Sequence, residues 1–170
     1  MTREAAEARP DADLDAVTVT ETGVGKFQVE VLTAGASFLA DEPAELGGLG
    51  SGPNPYDLLA AALGACTTMT LRLYAERKGW PLKRATVRVL HSRPTPQGRD
   101  RFAREVTLEG ALDEDQRARL LEIAAKCPVH RTLEGGSDII TVAAQPRSLE
   151  LPPQGRGGAH LRDMEAACRD

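Results

Sequence analysis

Pro55-Tyr56-Asp57-Leu58-Leu59-Ala60-Ala61-Ala62-Leu63-Gly64-Ala65-Cys66-Thr67-Thr68-Met69-Thr70-Leu71 reads as the first part of a long buried helix with a cysteine near its middle. Asn54 is placed to cap it and Pro55 to occupy its first turn, where a missing N–H costs nothing. The pattern predicts a helix from Pro55 to about Lys78, ended by Gly79 with Pro81 just beyond. At 1.5 Å per residue such a helix is roughly 35 Å long. Leu58, Leu59, Leu63, Cys66, Met69 and Leu73 form its expected apolar stripe, and alanines widen it almost all round. A helix apolar on so many sides needs cover, and a second subunit would supply it.

Outward from this helix, alternating β-branched segments predict strands on both sides. Ahead of it lie Ala16–Glu21, Lys26–Leu32 and Ser37–Asp41, joined by Gly23-Val24-Gly25 and Ala34-Gly35, which together suggest a β-meander. The loop Gly47-Gly48-Leu49-Gly50-Ser51-Gly52-Pro53 has no Lys-Ser/Thr ending and no strand-GxGxxG-helix order, so it reads as a mobile lead-in rather than a phosphate cradle. Behind the helix, Lys83–His91 and Phe102–Gly110 form an antiparallel pair. Asp113 and Gln116 have the spacing of a capping box, opening a helix that turns Leu120, Leu121, Ile123 and Ala124 inward and ends near Lys126. A short helix over Val129–Leu133 and a last strand over Asp138–Ala143 complete an α+β domain spanning 16–144. Residues 1–15 and 145–170 read as flexible tails, the latter with a frayed helical turn around Leu161–Cys168.

The 170 residues suit one domain with a real core. A net charge of -4 and an aromatic content of 4% exclude a compositional case for nucleic acid or an anionic membrane as partner. No uninterrupted run of residues reaches the length of an apolar membrane span. The acidic, alanine-rich start lacks the apolar centre of a signal peptide, so the expected compartment is the cytosol. Thiols stay reduced there, and a cysteine pair is more readily catalytic or metal-binding than structural.

Three cysteines leave one unpaired within the chain, and Cys168, near the end, is the obvious odd one. Cys127 ends a helix beside Lys126, with His130 and Arg131 within one turn, a setting that favours a thiolate. Cys66 is too far along its own helix to gain from that helix's N-terminal dipole. Its bland reading is a small buried hydrophobe. Cys127 and His130 at i, i+3 with Cys66 as a third ligand would make a zinc site, but no Cys-x-x-Cys supports it. A Cys–His hydrolytic dyad lacks an orienting Asn or Asp. Cofactor and metal are therefore both expected to be none.

Two segments resemble the OsmC family, which includes osmotically inducible protein C and the organic hydroperoxide resistance proteins. They are Gly52-Pro53-Asn54-Pro55-Tyr56-Asp57-Leu58-Leu59 running on to Cys66, and Lys126-Cys127-Pro128-Val129-His130-Arg131-Thr132-Leu133. The resemblance covers about Val17 to Val142. It implies an OsmC-like α+β fold in an intertwined homodimer with active sites at the interface. It also implies thiol-dependent reduction of organic or inorganic hydroperoxides in oxidative or osmotic stress defence. Cys66 would attack the O–O bond, Cys127 would condense with the sulfenic acid, and an external dithiol would restore both. Two residues depart from the peroxidase branches, which carry a glutamate after Asn-Pro and an arginine on the N-terminal strands. Here those places hold Tyr56, followed by Asp57, and at best Lys26, so the wording fits a third branch. Lys26, Tyr56, Asp57, His130 and Arg131 are the expected supporting residues. The missing glutamate and arginine favour an alternative, a non-catalytic protein that binds a small ligand or senses redox state.

Overall fold

The computed structural model describes residues 16–143 and 158–169, and the predicted tails at 1–15 and 145–157 lie outside them. The described chain falls into two compact units, residues 16–53 and residues 54–143 with 158–169, where the sequence suggested one domain over 16–144.

The first unit is the expected antiparallel meander, β1 (Thr18–Glu21), β2 (Val29–Thr33) and β3 (Ala36–Ala40). Val19 pairs with Val31 and Val31 with Phe38, and Val31 and Ala40 are buried. The glycine-rich loop is tied down rather than loose. The buried carboxylate of Asp41 accepts from the amides of Glu42 at 2.8 Å, Leu49 at 2.9 Å and Ser51 at 3.3 Å, and from the Ser51 hydroxyl at 2.9 Å. Gly48 and Gly52 are needed here because a Cβ would stand 1.9 Å from the Glu42 carbonyl oxygen or 2.0 Å from that of Leu39.

The second unit is built on α1 (Pro55–Arg77). Asn54 Oδ1 accepts from the amides of Tyr56 and Asp57, and Asp57 Oδ2 accepts from the Asn54 amide, a reciprocal cap around Pro55. The helix stops at Lys78, where Gly79 takes φ +65°. β4 (Leu82–Ser92) and β5 (Arg101–Gly110) form a two-stranded antiparallel sheet with Val87 opposite Val106, Val89 opposite Arg104 and His91 opposite Phe102. Then come α2 (Glu114–Ala124), capped reciprocally by Asp113 and Gln116, α3 (Pro128–Gly135) and α4 (Ala159–Ala167).

α1 packs against β4, α2, α3 and α4. By length and composition it could cross a membrane; here it is the core element of its unit. Its buried face is Leu63, Cys66, Thr67, Thr70, Leu71, Tyr74 and Ala75; Leu63 and Cys66 of the expected stripe are on it, whereas Leu59 and Met69 are 42% and 52% exposed. Two threonines can sit there because each hydroxyl bonds back to the carbonyl one turn earlier, Thr67 to Leu63 at 2.7 Å and Thr70 to Cys66 at 2.8 Å. Leu71, Leu120 and Ile123 are fully buried in the main core, and each gains about 1.5–3 kcal/mol by leaving water. Leu121 was expected inward but is half exposed.

Two expectations fail after α3. No strand forms over Asp138–Ala143, and Ile139 and Ile140 are 90% and 81% exposed. β-branched residues favour an extended chain, but a strand also needs a partner, and among the described residues this segment pairs with none. The second failure is the predicted tail, which over 159–167 is a formed helix. Met164 and Cys168 are buried, Cys168 joins the core with Leu71 and Tyr74, and Arg77 holds the Glu165 carbonyl at 3.0 Å.

Candidate functional site

The turn between α2 and α3 brings Cys127 onto the side of α1. Pro128 occupies the first turn of α3, so Cys127 becomes that helix's N-cap, and its sulfur accepts from the His130 amide at 3.4 Å. The Val129 amide points at the Cys66 sulfur, also at 3.4 Å. Both sulfurs thus face the electropositive N-terminus of one helix. Cys66 is too far along α1 to gain from that helix's own N-terminus, and the helix end it meets is that of α3. The two thiols are free and buried, they hydrogen-bond to each other, and Leu63, Val89, Phe102, Val129 and Leu133 enclose them in apolar side chains.

The cation beside them is Arg104, which was not among the expected supporting residues. Its Nη1 donates to the Ala124 carbonyl at 2.7 Å and to Thr67 Oγ1 at 2.9 Å, and it lies 4.0 Å from the Cys127 sulfur. Its Nη2 donates to His130 Nδ1 at 3.1 Å. A clue was available in β5, where Arg104 alternates in phase with Phe102, Val106 and Leu108 on the inward face. A charge on an apolar face requires a buried partner.

These contacts divide one negative charge unequally. The Cys66 S–H donated to the Cys127 sulfur, with Thr67, the His130 amide and Arg104, pulls Cys127 down to about 5 against the opposing effect of burial. The same hydrogen bond, followed by burial, pushes Cys66 far above the ordinary thiol range, and the Val129 amide and Thr70 offset little of it. The contacts favour the charge on Cys127 and the proton on Cys66, and the titration belongs to the pair.

The model of the OsmC-like proteins matches residues 48–142, a span that contains both cysteine motifs and Arg104. The chain belongs to the OsmC-like protein family. Among solved structures, an OsmC-like protein from Mycoplasma pneumoniae has 20% identity and a TM-score of 0.62, with 71% of this chain and 87% of that chain covered. An organic hydroperoxide resistance protein from Elizabethkingia anophelis, with thiocyanate bound, has 25% identity and a TM-score of 0.52 over 71% and 88% of the two chains. One from Bacillus subtilis has 20% identity and a TM-score of 0.53 over 71% and 90%. The α+β fold read from the motifs is therefore the fold of these neighbours. A search of curated proteins finds no match.

In this OsmC-like protein the other expected supporting residues divide. His130 belongs to the site through its amide and its ring. Arg131 is exposed and lines a cleft with Lys126 and α4, with no contact to either sulfur among those described. Lys26 lies in the meander unit, over the Phe27 ring at 4.7 Å. Asp57 serves the helix cap.

Tyr56, in the position of the family glutamate, stacks on His91 with ring centroids 4.1 Å apart. His91 in turn meets Phe102 at 4.8 Å, and Phe102 packs on the cysteine pair. Arg93 donates to the Tyr56 hydroxyl at 2.6 Å and grips Asp100 with two bonds of 2.9 Å, while His91 lies 2.8 Å from the same carboxylate. Arg93 first and His91 second hold Asp100 down at about 2.

As for zinc, Cys66, Cys127 and His130 do come together, but Nδ1 of His130 already accepts from the Arg104 guanidinium. Among the described residues no three His, Cys, Asp or Glu side chains are grouped to hold a metal ion.

Proposed function

We propose that this protein reduces hydroperoxides with its Cys66/Cys127 pair, without cofactor or metal, in the reducing cytosol as part of stress defence. The observation that carries the reading is the pair itself: two free, buried thiols in contact, with the N-terminus of α3, Thr67 and Arg104 around the Cys127 sulfur. A thiolate attacks the O–O bond and takes one oxygen as sulfenic acid, and the departing alkoxide takes a proton to leave as alcohol or water. The second sulfur attacks the first, and water leaves as the disulfide closes. An external dithiol returns both thiols by exchange and is itself oxidised to a disulfide. The apolar enclosure of the pair suits an organic peroxide body.

By family resemblance Cys66 attacks and Cys127 resolves. One observation favours the reverse order: the His130 amide, Thr67 and Arg104 converge on Cys127, whereas Cys66 is the proton donor of the pair. Both orders end in the same disulfide. Trapping sulfenic acid in C66S and in C127S distinguishes them, because only the variant that keeps the attacking sulfur is labelled rapidly.

The reading includes a homodimer. It is supported by the exposed run Ile139, Ile140 and Val142 and by the open groove of small residues along α1, Ala60, Ala61, Gly64 and Ala65, beside Val87 and Val89. Sedimentation of the full chain tests it, with a monomer at micromolar concentration as the contrary result.

The decisive experiment is steady-state peroxide consumption with a dithiol present, followed by a peptide mass map. Turnover with a Cys66–Cys127 disulfide is expected. Undiminished consumption by a variant lacking both cysteines would end the proposal, and a single burst without cycling would favour a sensor or binding protein.

A further inference from the structure

We infer that His130 is a positioning residue, whose ring nitrogen Nδ1 holds the Arg104 guanidinium against the cysteine pair. The inference deepens the thiol reading above and rests on it for its catalytic consequence, though not for its test.

Arg104 Nη2 lies 3.1 Å from His130 Nδ1. A guanidinium has only donors and does not lose its proton in a protein, so Nδ1 must present a lone pair. The ring proton is then on Nε2, the nitrogen that lies 3.4 Å from Glu134 Oε2. The contact with Arg104 therefore assigns the tautomer, and Glu134 supports it from the next turn of α3.

The fork needs this third anchor. Nη1 is fixed by the Ala124 carbonyl and by Thr67 Oγ1, which leaves the guanidinium free to pivot about that side. His130 fixes Nη2 and with it the plane of the group, the orientation in which Nη1 faces the Cys127 sulfur at 4.0 Å. One residue thereby serves the site twice: its amide donates to the Cys127 sulfur at 3.4 Å and its ring aims the cation. A bland account would make His130 the partner of Glu134 in a surface ion pair one turn apart. Glu134 is 75% exposed and a pair of that kind is worth little, whereas the inward nitrogen meets a half-buried guanidinium.

The test uses the amide series, because Asn places its oxygen near where Nδ1 lies and Gln places its amide near Nε2. In the reduced full-length protein, thiolate absorbance is followed against pH for wild type, H130N, H130Q, H130L, R104M and the double variant H130L/R104M. The expected result is a rise of about one pH unit in the lower thiol midpoint for H130L and H130Q, or a tenfold loss of thiolate below it. H130N restores the wild-type midpoint, and H130L adds nothing to R104M. An unshifted midpoint in H130L, failure of H130N to differ from H130Q, or full additivity with R104M overturns the inference. If H130L does not fold, the H130N and H130Q comparison decides alone. Peroxide consumption measured in parallel separates the two claims. The expected shifts without any consumption would sink the peroxidase reading and leave His130 in its role.

Discussion

Nη1 of Arg104 stands 4.0 Å from the sulfur of Cys127, in a pocket from which both cysteines are nearly excluded from water. Two unit charges at that distance attract by about 4 kcal/mol at the effective dielectric of a partly buried site. Arg104 thus places a fixed positive charge beside the pair, and it does so from β5 rather than from the N-terminal strands.

A measurable titration follows from that relationship. One thiolate is expected to appear with a midpoint near 5, while the second proton stays on past the ordinary thiol range. Ionisation at Cys127 is favoured in the folded state, so the pair loses that stabilisation as pH falls through its folded midpoint. R104M should raise the lower midpoint by about 1–3 units, the range for removing an opposite charge at this separation. The rate of alkylation at pH 6 should fall with it; an unchanged rate would show that Arg104 does not act on the sulfur.

Thr67 makes a second prediction. Its hydroxyl bonds to the Leu63 carbonyl, lies 3.5 Å from the Cys127 sulfur and accepts from Arg104. T67V keeps the shape and removes all three contacts. It should destabilise the fold by about 1–3 kcal/mol in urea unfolding, because the guanidinium loses an acceptor in a buried place. The lower thiol midpoint should rise in the same variant. Full stability in T67V would mean that water replaces the hydroxyl.

Asp100 should titrate near 2 rather than at the ordinary 3.8, with Arg93 as the chief cause. The depressed value means that its ion pairs favour the fold above the ordinary value and cease to do so as pH falls from 3.8 towards 2. Carboxyl NMR of wild type and R93M checks this, with the Asp100 midpoint in R93M expected to rise towards 3.8 while the His91 contact holds it somewhat below.

The last helix should behave as core. M164A is expected to cost about 2 kcal/mol, at the lower end for a buried large-to-small change because Met164 retains 6% exposure. L120A, at a fully buried position, should cost about 2–5 kcal/mol. Wild-type stability in M164A, measured by thermal and urea unfolding, would show that α4 adds nothing to its unit.

Much that depends on near neighbours was legible in the amino acids alone. The Asn54–Asp57 and Asp113–Gln116 caps, the stop at Gly79, the alternation of the strands and the family motifs around Cys66 and Cys127 all lie within a turn or a hairpin of the residues they control. Caps and alternation act through local dihedrals and adjacent hydrogen bonds, so the order of residues suffices. The rest was settled by which faces met. The carboxylate of Asp41 gathers a loop up to ten residues away, and Cys168 packs on an α1 residue 98 positions earlier. The helix that serves Cys66 begins more than 60 residues downstream. Arg104 became the cation of the site because β5 turns it inward under the α2–α3 junction, where the Ala124 carbonyl, Thr67 and His130 supply acceptors that no spacing along the chain reveals. Asp138–Ala143 shows the converse: its residues favour a strand, but a strand is a property of two segments, and among the described residues this one pairs with none.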